Sequence, residues 1–293
     1  MLREYSDLPS SAQAPLEIRL FGELQLARAG YEIVPFLTRK SRSIFGQLVL
    51  AREKPHFRDQ LAECFWPEAD PSQSRAALRT ELWRIRLTIA RYGLNPRHYL
   101  NAGIDTIQFR PAGPILVDTE LFDQAIGPEP DCATILALYR ADLLEGEYGD
   151  WCQFQREHYR SRFASVLESA MERAMAAGDF CTALDLGNRL VSLDPLAEHI
   201  HRKLIACHAA RGNRSAALKQ YARCVSLLEQ ELGVMPMAET QALADEIRGG
   251  AARLLECVDR DEGRTALRLA HTILDEAARK LGHALVARPV GLD

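Results

Sequence analysis

Five arginines crowd one short stretch of this chain, and a single carboxylate accompanies them. Arg75, Arg79, Arg84, Arg86 and Arg91 share residues 74–91 with Glu81. A guanidinium donates in a planar fork that suits phosphate oxygens and the O6/N7 edge of guanine. The same stretch sets Leu78, Leu82, Ile85 and Ile89 on one stripe at helical spacing, so it reads as an amphipathic helix. At about 100° per residue, Arg75, Arg79 and Arg86 lie along one flank of the stripe. Arg84 and Arg91 lie along the other, with Thr80 beside them. A helix apolar behind and basic on both shoulders suits the major groove of DNA, its front reaching bases and its sides reaching phosphates. A solvated, Arg-rich amphipathic helix is the plainer alternative. Trp83 points away from the apolar stripe. It is expected to pack on a neighbouring loop, with a sugar or a thymine methyl as its other possible contact.

The elements around this helix are also legible. Residues 16–26 alternate apolar and polar side chains about Gly22-Glu23 and read as two short strands, and residues 31–36 read as another. Ile44, Leu48 and Ala51 then recur at helical spacing over 41–51, and Leu61 and Phe65 face inward from a second helix over 57–66. Pro67 and Pro71 bound a loop, after which the Arg-rich helix starts. Beyond Gly93, alternation resumes around Asn101-Ala102-Gly103, a hairpin signal. Strands, three helices and a hairpin, in that order, make a winged helix-turn-helix with an N-terminal sheet. Its third helix is the reader, and its hairpin is the wing. Arg84 and Thr80 are the first choices for base contact, with Arg75, Arg79 and Arg86 as phosphate clamps. Thr38, Arg39, Lys40 and Arg42 sit at the start of helix one. His56 and Arg58 sit at the start of helix two. There, backbone amides and the positive end of the dipole favour phosphate.

The rear of the chain is nearly all helical pattern and contains a repeat. Residues 178–184 recur as 212–218, and Val191-Ser192-Leu193 recurs as Val225-Ser226-Leu227, both at a shift of 34 residues. That is the tetratricopeptide period, in which a small residue at the interhelix turn lets antiparallel helices pack closely. Ala183 and Ala217 hold that place. Asp194-Pro195 separates one unit from the next.

Composition narrows the function classes. The chain has 293 residues, which implies about two domains, and a net charge of −4. Residues 16–118 carry 15 basic against 11 acidic side chains, and residues 119–293 carry 20 against 27. A basic front on an acidic rear fits DNA binding at the front. Seven scattered cysteines without a CxxC pair point to a reducing cytoplasm and argue against a zinc ribbon or a disulfide frame; they are expected to be small buried apolar residues. No apolar run approaches a membrane span, and no phosphate-binding, nucleophile-elbow or metalloprotease motif occurs. Glu198 and His201 echo a metal-ligand spacing that has no second copy, so His199 and His201 are expected to be solvated. No catalytic residue, metal or cofactor is implied.

The front module resembles the OmpR/PhoB-type winged helix of SARP-like transcriptional activators, through Leu78, Leu82, Arg84, Ile85, Arg86 and Trp66-Pro67. Trp83 departs from the small or polar residue that pattern has there. The rear resembles the bacterial transcriptional activator domain, through Asp142-Leu143-Leu144-Glu145-Gly146, Asp150-Trp151, the run 217–221, and 231–236 followed by Glu239-Thr240. This resemblance covers about residues 16–247. It implies a mainly α chain: an α+β winged helix-turn-helix domain followed by an all-α tetratricopeptide-like domain. The expected divisions are a disordered lead at 1–15, a DNA-binding domain at 16–118, an activator domain at 119–248 and a helical tail at 249–293. The tail contains an amphipathic helix over 264–285 that either caps the repeats or dimerises. The resemblance further implies an activator that binds double-stranded DNA and recruits RNA polymerase; because useful specificity usually needs two half-sites, a homodimer at least on DNA is expected, in the cytoplasm. The DNA-contacting set is Arg39, Lys40, Arg42, Arg58, Arg75, Arg79, Thr80, Trp83, Arg84 and Arg86. The polymerase is expected at the loop 66–72, through Glu68, Asp70 and Ser72. The alternative is an interaction adaptor that has lost DNA binding and docks partners through its repeats.

Overall fold

A computed structural model describes residues 14–127 and 130–258, with side chains placed as far as 249. Most of the expected lead and the helix over 264–285 lie outside the described residues. The chain divides into two compact units, Met1–Phe163 and Ala164–Asp293, so the first reaches well beyond the winged-helix limit expected at 118. The first unit mixes strands and helices in a winged-helix arrangement, and the second is all-helical.

The first unit runs β1 (Leu16–Arg19), β2 (Gln25–Ala27), α1 (Arg39–Leu50), β3 (His56–Phe57), α2 (Arg58–Phe65) and α3 (Pro71–Arg91). After a short 3-10 turn come β4 (Leu100–Ala102), β5 (Thr106–Phe109), β6 (Ile115–Val117), α4 (Asp118–Ala125) and α5 (Cys132–Leu138). β1 pairs antiparallel with β2 and parallel with β6; a second sheet has the order β3-β5-β4. Thr38 caps α1 in a reciprocal box with Ser41, which satisfies orphan amides of the first turn. Pro71 opens α3 at its first position, where a missing N–H costs nothing. The helix therefore starts three residues earlier than expected, and Ser72 belongs to its first turn rather than to the loop.

Two strand expectations need correction. Residues 31–36 form no strand. Pro35 lacks a donor, and the backbone of Val34 is held by a side chain: its N–H donates to Tyr92 Oη at 2.8 Å. The wing is the predicted hairpin shifted by two residues, so Asn101 and Ala102 lie in β4 and the tip is Gly103-Ile104-Asp105.

Asp118 joins the ends of β1 and β6. Its carboxylate, 5% exposed, accepts the N–H of Leu20 at 2.8 Å and of Phe21 at 3.0 Å. Burial pushes this carboxyl up, against the pull of those amides and of Arg140. Just beyond, Phe21 packs among Phe122, Tyr139 and Tyr159.

Helix α6 (Asp150–Ala176) contains the division between the units, and α7 (Phe180–Leu193), α8 (Glu198–Ala210), α9 (Arg214–Leu232) and α10 (Ala238–Val258) follow. The repeated blocks are repeated turns. Gly178 and Gly212 take left-handed φ values of 75° and 72°. Asp179 and Asn213 then cap α7 and α9 by accepting from Thr182 and Ala216 N–H. Ala183 and Ala217 are fully buried. Ile205, Ala217, Tyr221 and Ala244 form a shared core of α8, α9 and α10.

His201 is not solvated but 1% exposed. Its Nε2 lies 3.0 Å from Pro195 O and its Nδ1 2.9 Å from Gln220 Nε2, contacts that a neutral imidazole satisfies as donor and acceptor respectively. His199 stays at the surface, 3.4 Å from Glu168. The cysteines also divide: Cys152, Cys207 and Cys224 are buried, whereas Cys64 and Cys181 are exposed. Burial pushes the thiols of Cys207 and Cys224 up to about 11.

Two outcomes follow. Asp118→Ala leaves the Leu20 and Phe21 amides without an acceptor and is expected to cost about 2–4 kcal/mol in urea unfolding. Burial, and to a lesser extent Arg223, hold the His201 pKa down, while Pro195 O, Asp194 and Glu198 pull it up. The unfolded chain accepts a proton near pH 6.5 that the folded protein resists. Stability is therefore expected to hold above that pH and to fall as the pH drops below it. Urea midpoints compared at pH 7.5 and 5.5 should show a smaller loss in His201→Gln than in the parent.

Candidate nucleic-acid interface

Helix α3 buries one stripe and exposes the opposite one. Leu78, Leu82, Ile85 and Ile89 are 0–2% exposed against the helical trio. Each fully buried side chain of this size stabilises by about 1.5–3 kcal/mol. Tyr92 fixes the end of the helix: its hydroxyl donates to Leu26 O at 2.8 Å, and its carbonyl accepts from Arg28 at 2.6 Å. Gly93, with φ of 67°, lets the chain leave in the left-handed conformation.

The flanks of α3 are held by ion pairs. On one side Arg75 donates two parallel hydrogen bonds of 2.7 Å to Asp59 of α2, which holds its guanidinium above the usual range. On the other, the buried Glu81 accepts from Arg84 at 2.6 Å and from Thr38 Oγ1 at 2.5 Å. Both expected carriers of DNA contact on these flanks thus have intramolecular partners, the exposed Asp59 for Arg75 and the buried Glu81 for Arg84. Glu81, the lone carboxylate of the stretch, joins the cap of α1 to α3.

The outward face is left to Ala76, Arg79, Thr80, Trp83, Ala90 and Arg91, all exposed, with Arg86 and Leu87 half-exposed beside them. Trp83 is 55% exposed. No neighbouring loop buries it, since the wheel position that removes it from the stripe turns it towards solvent. Thr80 donates back to Ala76 O at 3.2 Å. Arg79, Arg86 and Arg91 make no ion pair among the described residues.

The cations of α1 all have partners within the first unit, although Arg39 and Lys40 remain exposed. Arg42 pairs with Glu23 and, at 3.2 Å, with Glu147, whose carboxylate is almost fully buried and also accepts from Ser43. Arg39 donates to Gly146 O at 2.5 Å and covers the Tyr148 ring. Lys40 donates to Phe65 O at the end of α2 and sits 4.5 Å from the Trp66 ring centre. Arg58 donates its backbone N–H to Asp105 O of the wing at 2.9 Å, and its Nε is buried without a partner. Sequence reading missed Glu147 and Glu23 as the partners of Arg42, because they lie far along the chain from it.

The loop before α3 presents Glu68 and Asp70 to solvent, with Ser72 exposed on the first helical turn. The wing tip offers Ile104, 93% exposed, and Asp105, and no cation. Among the described residues, no group of three or more His, Cys, Asp or Glu side chains is placed to hold a metal ion, and no helix is long and apolar enough to cross a membrane.

Residues 130–248 match the bacterial transcriptional activator domain. The chain is 24% identical over 261 residues to the transcriptional regulatory protein MoaR1 of Mycobacterium tuberculosis, covering 82% of this chain and 81% of that one. It is 24% identical over 301 residues to the transcriptional regulatory protein EmbR of the same species, covering 95% and 74%. The regulatory protein AfsR of Streptomyces griseus is 24% identical over 247 residues, which span 82% of this chain and 25% of that much longer one. The solved structure of M. tuberculosis EmbR in complex with a low affinity phosphopeptide shares the fold, with a TM-score of 0.55 at 21% identity over 85% of this chain and 72% of that one.

Removing the Glu81 carboxylate tests the joint between α1 and α3. Glu81→Ala strands the Thr38 hydroxyl and the Arg84 guanidinium, and is expected to cost about 1–3 kcal/mol in urea unfolding. Trp83→Ala, on the open face, should move the same midpoint by less than about 0.5 kcal/mol.

Proposed function

The chain belongs to the SARP-like family of DNA-binding transcriptional regulators that carry a bacterial transcriptional activator domain, and from that premise we propose that it activates transcription by reading DNA through the outward face of α3. It is a regulator rather than an enzyme. The carrying observation is the contrast along α3 between Arg84, paired with the buried Glu81, and Arg75, paired with Asp59 at the surface, and on the other hand Arg79, Arg86 and Arg91, which make no ion pair among the described residues. An arginine already on a buried carboxylate must give up that bond to reach a base, whereas Arg79 gives up nothing. The proposed reading set is therefore Arg79, Thr80, Trp83 and Arg86, with Arg91 on phosphate. Arg75 and Arg84 are proposed as rigid flanking contacts held in place by Asp59 and Glu81. Arg39, Lys40, Arg42 and Arg58 follow as peripheral contacts at most, because their cationic groups are engaged or buried within the first unit.

RNA polymerase is proposed at Glu68, Asp70 and Ser72, whose exposure and acidic character support a contact with a basic partner surface. Useful specificity from one short helix calls for two half-sites, so a homodimer on DNA is proposed. The proposed functional division keeps 16–118 as the DNA-binding part, 119–248 as the activator domain and 249–293 as a tail that caps or dimerises. The proposed setting is the cytoplasm.

The test is selection from a pool of random double-stranded DNA. The parent chain is expected to enrich a defined motif, and Arg79→Ala to relax one base position with a loss of about 1–3 kcal/mol. Arg91→Ala should weaken all sequences alike and reduce the slope of log affinity against log salt by about 0.9. Absence of any enriched motif from folded protein at low salt would overturn the reading in favour of an adaptor role.

A further inference from the structure

Resting on α3 as the reading helix, we propose that Trp83 makes this regulator select thymine: its indole packs on the C5-methyl group of a T·A pair in the major groove. The centre line of the exposed face is apolar. Ala76, Trp83 and Leu87 follow one another at about two turns and one turn of the helix, with Thr80 and its methyl group beside them. The cations stand on the margins, Arg79 and Arg86 on one side and Arg91 on the other. Arg79 and Arg86 reach base edges from the margin, and the centre line is left to apolar contact. In the major groove only thymine presents an apolar group, whereas guanine, cytosine and adenine present donors and acceptors alone.

The energetics favour the same choice. Trp83 leaves more than half of a large indole in water, and its N–H makes no hydrogen bond among the described residues. Covering that ring returns apolar area from water, and the N–H stays free to donate to a phosphate oxygen. A protein partner for the same indole is disfavoured by the surrounding charge. The lone carboxylate on residues 74–91, Glu81, is buried, so the exposed face of this stretch carries cations and no anion. That pattern complements phosphates on both sides of a groove.

The experiment uses the full chain and the duplex it selects. Each thymine is replaced singly by deoxyuracil, which removes the methyl group and leaves every hydrogen bond intact, and affinity is read by fluorescence anisotropy. One position per half-site is expected to weaken binding by about fourfold, the equivalent of one buried methyl group. Trp83→Ala should bind thymine and deoxyuracil at that position equally, and Trp83→Phe should retain part of the preference. Deoxyuracil effects below twofold at every position, or a fourfold effect that persists in Trp83→Ala, overturn the inference. So does a Trp83→Ala chain that binds its site normally yet fails to activate transcription in a purified system, which would assign the indole to a protein contact. A parent chain that selects no motif at all would fail at the earlier step, and α3 itself would lose its reading role.

Discussion

Burial of four side chains on one stripe of α3 decides what every other group on that helix can do. Leu78, Leu82, Ile85 and Ile89 are removed from water. A helix with 3.6 residues per turn then has no freedom left in its rotation. Glu81 and Ser74 go to the buried edge, Arg75 and Arg84 to the flanks, and Arg79, Thr80 and Trp83 outward. The outward set is thus a consequence of the core, and a substitution in the core that rotates α3 by a fraction of a turn would replace one set of outward-facing side chains by another. The buried carboxylate of Glu81 reinforces this rotation, since it can meet both Thr38 and Arg84 at only one angle.

Charge within the first unit is sorted by the same logic. Cations near a carboxylate at the edge of the core are drawn onto it, because an unpaired buried charge is costly. Glu147 is the clearest case. It is buried, and it gathers Arg42 and Ser43 from α1, with Arg39 close by. The backbone around it is equally engaged. Leu144 N–H donates to Leu20 O, Glu145 N–H to Gly22 O, and Arg156 donates to the carbonyls of Leu143, Leu144 and Glu147. The basic excess counted along residues 16–118 therefore overstates the charge available to a ligand.

What the sequence makes legible is what local periodicity and turn chemistry control. The apolar stripe of α3, the order of the three helices and the wing, and the repeated glycine-cap turns at 178–179 and 212–213 all rest on neighbours close in the chain. The misreadings share the opposite property. Residues 31–36 have strand composition, but Pro35 and the distant Tyr92 hydroxyl take them out of any ladder. His201 looks like a polar residue at a helix start, and only the packing of α9 against α8 buries it beside Gln220. Arg42 looks free until Glu147, over a hundred residues away, supplies its partner. Trp83 was legible in direction and illegible in surroundings: its wheel position showed that it left the core, and nothing local said whether another element would cover it.

The strip from Asp142 to Glu147 bears on how the two functions of the chain are connected. By resemblance it belongs to the activator domain, and the matched region begins at residue 130. By packing it belongs to the first unit, where Phe21 and Gly22 form bridges with Leu143 and where Arg39 and Arg42 find their partners. A winged helix cut after 118 would lose the acceptors and donors that this strip supplies to Leu20, Gly22, Arg39 and Arg42. It would also lose the rings of Phe122, Tyr139 and Tyr159 that enclose Phe21. Arg42, released from Glu147, would then face solvent one helix away from α3. Such a fragment would carry more exposed positive charge than the intact unit, and its added affinity for DNA would be of the sequence-independent kind. Under the proposed reading of DNA by α3, the contacts that complete the core of the first unit and engage Arg42 also limit indiscriminate attraction to the phosphate backbone.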